Sequence, residues 1–126
     1  MGKVCGRKHF IRTLTGRFPD VAARIDEYAR GLLHCEMGVF ARATVEALER
    51  GDLGTATAHF LYADELLSNA GPELRNAIAV SYLESINFDK DYGLQTKPRL
   101  LLPPRLRQEF AKLEAYMEEL FDRSKR

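Results

Sequence analysis

Apolar side chains recur along this chain at three- and four-residue steps, the period of a helix face rather than of a strand. Phe10, Ile11, Leu14 and Phe18 form the first stripe. Pro19 must close it, because proline disfavours helical geometry in the residue before it. The spacing then predicts a second helix that starts at Pro19 or Asp20, turns Val21, Ala22, Ile25, Tyr28 and Ala29 inward, and stops at Gly31. Met37, Phe40, Ala41, Thr44 and Leu48 mark a third helix over about residues 35–50. Gly51 can take the left-handed stop and Asp52 can cap the next helix with its carboxylate. Leu53, Ala56, Phe60, Ala63 and Leu67 give that fourth helix its face. Two helices joined so tightly are expected to form an antiparallel hairpin.

Asn69-Ala70-Gly71 ends the fourth helix and Pro72-Glu73 starts a fifth. Its inward set is Leu74, Ala77, Ile78, Ser81, Tyr82 and Ile86, and Ala79, Val80 and Leu83 are apolar as well, so it is expected to lie buried as the central helix. Periodicity is lost from Asn87 to Leu102, which reads as a long loop, and long loops in small domains tend to carry function or move. Pro103-Pro104 opens a last helix whose Leu106, Phe110, Leu113, Met117 and Leu120 step by four, three, four and three, as a helix docked on the surface would. No pair of alternating runs flanks a turn. The expected fold is all-α: a compact bundle of five to six helices containing one antiparallel hairpin, in a single domain over residues 1–126 with frayed ends near 1–6 and 123–126.

Charge narrows the partners. The chain carries 19 Lys and Arg against 18 Asp and Glu, a net +1, so no strong field for nucleic acid or an anionic membrane is expected. Basic residues do gather near the first helix (Arg7, Lys8, Arg12, Arg17) and the last (Arg105, Arg107, Lys112), and they would merge into a positive patch if those helices met, but acids at Glu109, Glu114, Glu118 and Glu119 interrupt it. No apolar run approaches the roughly 20 residues of a membrane span. The basic start lacks the apolar stretch of a secretory signal, so a cytoplasmic protein is expected. Cys5 and Cys35 are far apart and neither lies in a CxxC, which suits reduced thiols.

Candidate chemistry is sparse. His9, His34 and His59 sit on different predicted elements, without HExxH or Cys/His spacing, so no metal is expected. His34 and Cys35 are adjacent in a helix and diverge by about 100°, which argues against a reactive pair. Asp64 and Glu65 likewise face different ways. Asp89-Lys90-Asp91-Tyr92-Gly93 begins like a calcium loop, yet its glycine falls one place early and Leu100 stands where a bidentate glutamate belongs. No phosphate loop occurs. The residues imply no enzyme and no cofactor.

Two resemblances extend this reading. Phe40, Leu53, Ala56, Phe60 and Ala63 make the hairpin similar to a single tetratricopeptide repeat, with Thr44 in place of the glycine at the helix crossing. Phe10-Ile11 leading to Phe18-Pro19, Leu32-Leu33-His34 with Met37-Gly38, Ala79-Val80-Ser81-Tyr82-Leu83-Glu84, and Leu102-Pro103-Pro104 together resemble a family of small, helical, immunity-like bacterial proteins with an Ile/Val-Ser-Phe-Leu-Glu core motif; Tyr82 replaces its phenylalanine. That resemblance implies a non-catalytic protein that binds and neutralises a cognate secreted toxin by occluding its active site. The alternative is a helical adaptor or assembly subunit using a tetratricopeptide-like groove. For a toxin contact the expected residues are Glu84, Asn87, Asp89, Asp91 and Tyr92, at the acidic and aromatic start of the long loop. The sequence does not specify an oligomeric state.

Overall fold

The computed structural model describes residues 4–124. Six helices follow one another in order: α1 (Arg7–Arg17), α2 (Pro19–Ala22), α3 (Leu33–Glu49), α4 (Leu53–Leu67), α5 (Pro72–Ala77) and α6 (Pro104–Ser124). A π-helical segment, Ile78–Leu83, continues α5, and a 3₁₀ turn, Pro98–Leu101, precedes α6. Among the described residues there is no strand, only one isolated parallel bridge between Cys5 and Ala70. That bridge holds the chain start on the α4–α5 link, through Cys5 N–H to Asn69 O (2.6 Å) and Gly71 N–H to Cys5 O (2.8 Å). The fraying expected over residues 1–6 therefore does not reach Cys5. At the other end Arg123 and Ser124 still belong to α6, while Lys125 and Arg126, like residues 1–3, lie outside the described residues.

The hairpin forms as its punctuation dictates. Gly51 has φ +76° and donates to Leu48 O (3.1 Å), and Asp52 N–H reaches back to Ala47 O (2.8 Å), which satisfies two of the carbonyls that α3 leaves open. Asp52 then caps α4, its Oδ1 accepting Thr55 N–H at 3.1 Å and its Oδ2 the Thr55 hydroxyl at 2.7 Å. α3, rather than α5, is the central helix: it packs on α2, α4, α5 and the π-helical segment. Met37, Phe40, Ala41, Thr44 and Leu48 are all buried, as their spacing predicts.

The second predicted helix is the clearest departure. α2 ends at Ala22 and only turns follow up to Gly31. Asp26 is the cause: its Oδ1 accepts the N–H groups of Tyr28 (3.0 Å) and Ala29 (2.9 Å), starting a new single turn where the helix would have continued. Ile25 and Ala29 are still buried, but Tyr28 is 80% exposed rather than inward. The fifth helix also changes character. Its turn widens over Ile78–Leu83, so Ile78, Tyr82 and Leu83 are all buried while Val80 faces solvent.

Two aromatic clusters fill the interior. Phe10, Phe18, Phe40, His59, Tyr62 and Tyr82 interlock between α1, α3, α4 and the π-helical segment, with Tyr82 stacked on Phe40 at 4.6 Å. Phe60, Phe88 and Phe110 join α4, the long loop and α6. No described helix is long and apolar enough to cross a membrane.

Candidate functional site

The long loop is built inward from Phe88, which is buried against Phe60 and Phe110 although it sits outside any helix. Pro98 and Leu102 are buried too, so both ends of the loop are pinned by apolar contacts. Polar side chains then fix its shape. Asn87 Oδ1 accepts Asp89 N–H (3.1 Å), Asp91 Oδ1 accepts Gly93 N–H (2.8 Å), and the Tyr92 hydroxyl donates to Asn87 O (3.0 Å). Gly93 has φ +79°, a conformation that costs a side chain about 1–2 kcal/mol. Arg99 straps the loop to α6: it forks onto Asp89 (2.7 and 3.0 Å), reaches Glu114 (2.7 Å), and lies over the Phe110 ring. These contacts hold the Asp89 carboxyl below its ordinary range, chiefly through the Arg99 hydrogen bonds.

The five expected contact residues thus fall into two groups. Glu84 and Asp91 are exposed and form no ion pair with the described chain. Asn87, Asp89 and Tyr92 are engaged within the loop or with Arg99, and Tyr92 is half-buried with Lys90 over its ring. All five lie within nine consecutive residues, and of their acids Glu84 and Asp91 have no ion pair among the described residues, Asp91 also holding the Gly93 turn.

The buried chemistry lies elsewhere and is structural. Thr44 is the hub. Its hydroxyl donates to Phe40 O (3.2 Å) and stands 2.9 Å from both His59 Nδ1 and the Tyr82 hydroxyl. One hydroxyl has one proton and two lone pairs, so donation to Phe40 leaves His59 and Tyr82 as the donors to Thr44. That assigns the proton of His59 to Nδ1. Burial lowers the His59 pKa to about 4, the nearby Asp20 and Asp52 only partly offsetting it, so the ring is neutral at neutral pH. Burial likewise raises the Tyr82 phenol, and pushes Tyr62 up to about 12. His59 also lines a cleft of about 220 Å³ with Asp20, Arg24, Glu46, Arg50 and Thr55, where Arg24 pairs with Glu46 and Arg50 with Asp52.

Other titratable groups serve as ties between elements. Glu36 is buried at the start of α3, where burial opposes its charge, but the Arg7 fork (2.7 Å twice) and Gly31 N–H (3.0 Å) hold its pKa below the usual value. Asp64 accepts Leu106 N–H (2.9 Å) and Arg105 (3.0 Å), capping α6 from across the interface with α4. Arg75 bridges Glu109 of α6 and the Leu67 carbonyl of α4. Several of the basic residues near α1 and α6 are held in such pairs: Arg7 with Glu36, Arg17 with Glu65, Arg105 with Asp64 and Lys112 with Glu109. His34 Nδ1 lies 2.6 Å from the Ser81 hydroxyl on the surface, with Cys35 exposed beside it. Among the described residues no three His, Cys, Asp or Glu side chains gather as metal ligands.

A family profile matches residues 11–118, almost the whole helical bundle and all of the long loop. The chain belongs to the DUF7674 family. That family is described as a domain of unknown function. No curated protein and no solved structure matches the chain. The DUF7674 match thus establishes membership of an uncharacterised family, within which the interior of this chain has to be understood from its own residues.

Several of those residues escaped the sequence. Asp64, Glu36 and Thr44 look like ordinary helix positions in one dimension, and each acquires its role from a partner 15 to 42 residues away. Nor does the sequence mark Arg99 as the strap of the loop. The one signal that could have found Asp26 was the Asp-Glu pair at 26–27, a helix-start signature in mid-helix.

Proposed function

We propose that this DUF7674 chain is a non-catalytic bacterial protein that binds a cognate protein toxin and neutralises it, with the edge from Glu84 to Tyr92 meeting the toxin. The observation that carries the reading is the construction of that edge. A loop of this length would ordinarily lose much conformational freedom on binding, which weakens association. Here the burial of Phe88, the Asn87 and Asp91 side-chain turns, and the Arg99 strap settle that ordering during folding. What remains presented is an ordered rim with Glu84 and Asp91 in no ion pair among the described residues, suited to a basic partner surface. Occlusion of an active site needs such a rigid, complementary surface and no reacting groups.

The test is co-expression with the cognate toxin, sought as a gene directly adjacent to this one. Wild-type protein should protect the cells, and the double variant Glu84→Lys with Asp91→Asn, which keeps the Oδ1 acceptor of the Gly93 turn, should abolish protection while circular dichroism and the unfolding midpoint stay unchanged. Cell death despite abundant wild-type protein would end the neutralisation reading. Full protection by the double variant would remove the loop from it.

A further inference from the structure

His59 spends only one of its ring nitrogens on the core. Nδ1 donates to Thr44, and Phe18 and Phe40 pack on the ring with centroids 4.7 and 5.1 Å away, so a side chain only 2% exposed is held in one orientation. The other nitrogen, Nε2, has no hydrogen-bond partner among the described residues. No side-chain nitrogen or oxygen sealed from solvent lacks a partner among those residues, so Nε2 is open, and the opening that the ring lines is the cleft between α2, α3 and the start of α4. With the ring proton on Nδ1, Nε2 presents a bare lone pair there. An acceptor fixed in a cleft wall by a nearly sealed ring calls for a donor that the chain does not supply.

Two more acceptors line the same cleft. Thr55 stands one turn before His59 on the same face of α4, and its hydroxyl proton is committed to Asp52 Oδ2 at 2.7 Å, which leaves its lone pairs. Asp20 is exposed, forms no ion pair among the described residues, and its charge acts on the His59 ring. Donors come from Arg24 and Arg50. Each guanidinium gives one nitrogen to an acid, Arg24 to Glu46 and Arg50 to Asp52, and keeps further N–H groups. The charges balance: Asp20 and Glu46 offset Arg24 and Arg50 in the lining, and their outer partners Asp52 and Arg42 offset one another. A simple anion would meet the bare acceptors, and a simple cation would meet the guanidinium groups. A molecule carrying both charges avoids both penalties. The volume of about 220 Å³ lies below the roughly 300–1,000 Å³ of sites for drug-sized ligands, and buried Val21 and Ala43 give the cleft an apolar part.

We propose that this cleft binds a small zwitterion, a free amino acid with a short aliphatic side chain. Its ammonium group has three N–H donors for His59 Nε2, Thr55 Oγ1 and the Asp20 carboxylate, its carboxylate takes the spare N–H groups of Arg24 and Arg50, and its side chain lies on Val21 and Ala43. This site is separate from the Glu84–Tyr92 edge and stands without the neutralisation reading.

Alanine, with ethylammonium and propionate as its two halves, tests the proposal by nuclear magnetic resonance on the full chain. The free protein should show His59 protonated at Nδ1, and alanine should shift the Nε2 resonance saturably, together with the backbone amides of residues 20–24 and 55–59. Each half should bind at least about tenfold more weakly than alanine. Asp20→Asn, at an exposed position and so compatible with the fold, should weaken alanine binding at least about tenfold, whereas Glu84→Lys with Asp91→Asn should leave it unchanged. A His59 ring protonated at Nε2, no saturable shift with alanine, equal binding of alanine and either half, or alanine binding untouched by Asp20→Asn would each overturn the proposal.

Discussion

Thr44 shows how much one side chain can organise. Its hydroxyl lies inside the α3–α4 hairpin and serves as the acceptor for two buried donors, His59 Nδ1 and the Tyr82 hydroxyl. Removing an acceptor shared by two buried groups strands both, whereas removing one donor leaves only a spare lone pair on the hub. Thr44→Val is therefore expected to cost about 2–4 kcal/mol in urea unfolding, and Tyr82→Phe only about 1 kcal/mol. Equal losses in the two variants would mean that Thr44 is not the shared acceptor. Nothing in the one-dimensional pattern foretells this, because position 44 reads simply as a small inward residue of α3. Its apolar neighbours Phe40, Ala41 and Leu48 were legible from spacing alone.

Among the elements, those punctuated by Gly, Pro and Asp were legible and those set by long-range contacts were not. Gly51 and Asp52 act locally, each satisfying backbone groups within five residues. The start of α6 looks equally local, with Pro104 in its first turn, yet its free Leu106 N–H is satisfied by Asp64 of α4, 42 residues earlier. Asp64→Ala should thus lower stability by about 1–2 kcal/mol and speed hydrogen exchange in the first turn of α6, although the substitution lies in another helix. If exchange rose only around position 64, the cross-helix cap would not be the stabilising contact. The misread second helix carries the converse lesson: Ile25 and Ala29 are buried as their spacing required, but Asp26 offers the backbone a competing turn, and periodicity is blind to that competition.

For the whole molecule, the buried titratable groups set the response to acid. His59 has a folded-state pKa near 4, below its ordinary 6.5, so the unfolded chain takes up that proton first. The stability it contributes is full above about pH 6.5 and is lost progressively as the pH falls toward about 4. Glu36 is held below its ordinary 4.5 and acts in the same direction at lower pH, its contribution being lost as the pH falls through its folded value. The thermal midpoint is expected to decline steadily from pH 6.5 downward, beginning before ordinary carboxylates titrate. A flat midpoint between pH 6.5 and 5 would contradict a buried neutral His59. At this scale the candidate surface was half legible: the residues of the Glu84–Tyr92 edge could be named from composition, whereas the Arg99 strap and the anchoring by Phe88 could not.

By itself the sequence determined the all-α class, the helix faces and the hairpin, because each follows from side-chain period and from backbone groups satisfied within a few residues. The tertiary structure alone decided how far each stripe is buried. The single stripe of α6 is buried at Leu106 and exposed at Met117, Leu120 and Phe121, with no break in the pattern between them. Burial depends on what lies opposite a side chain, and in that helix the buried positions fall only in its first half.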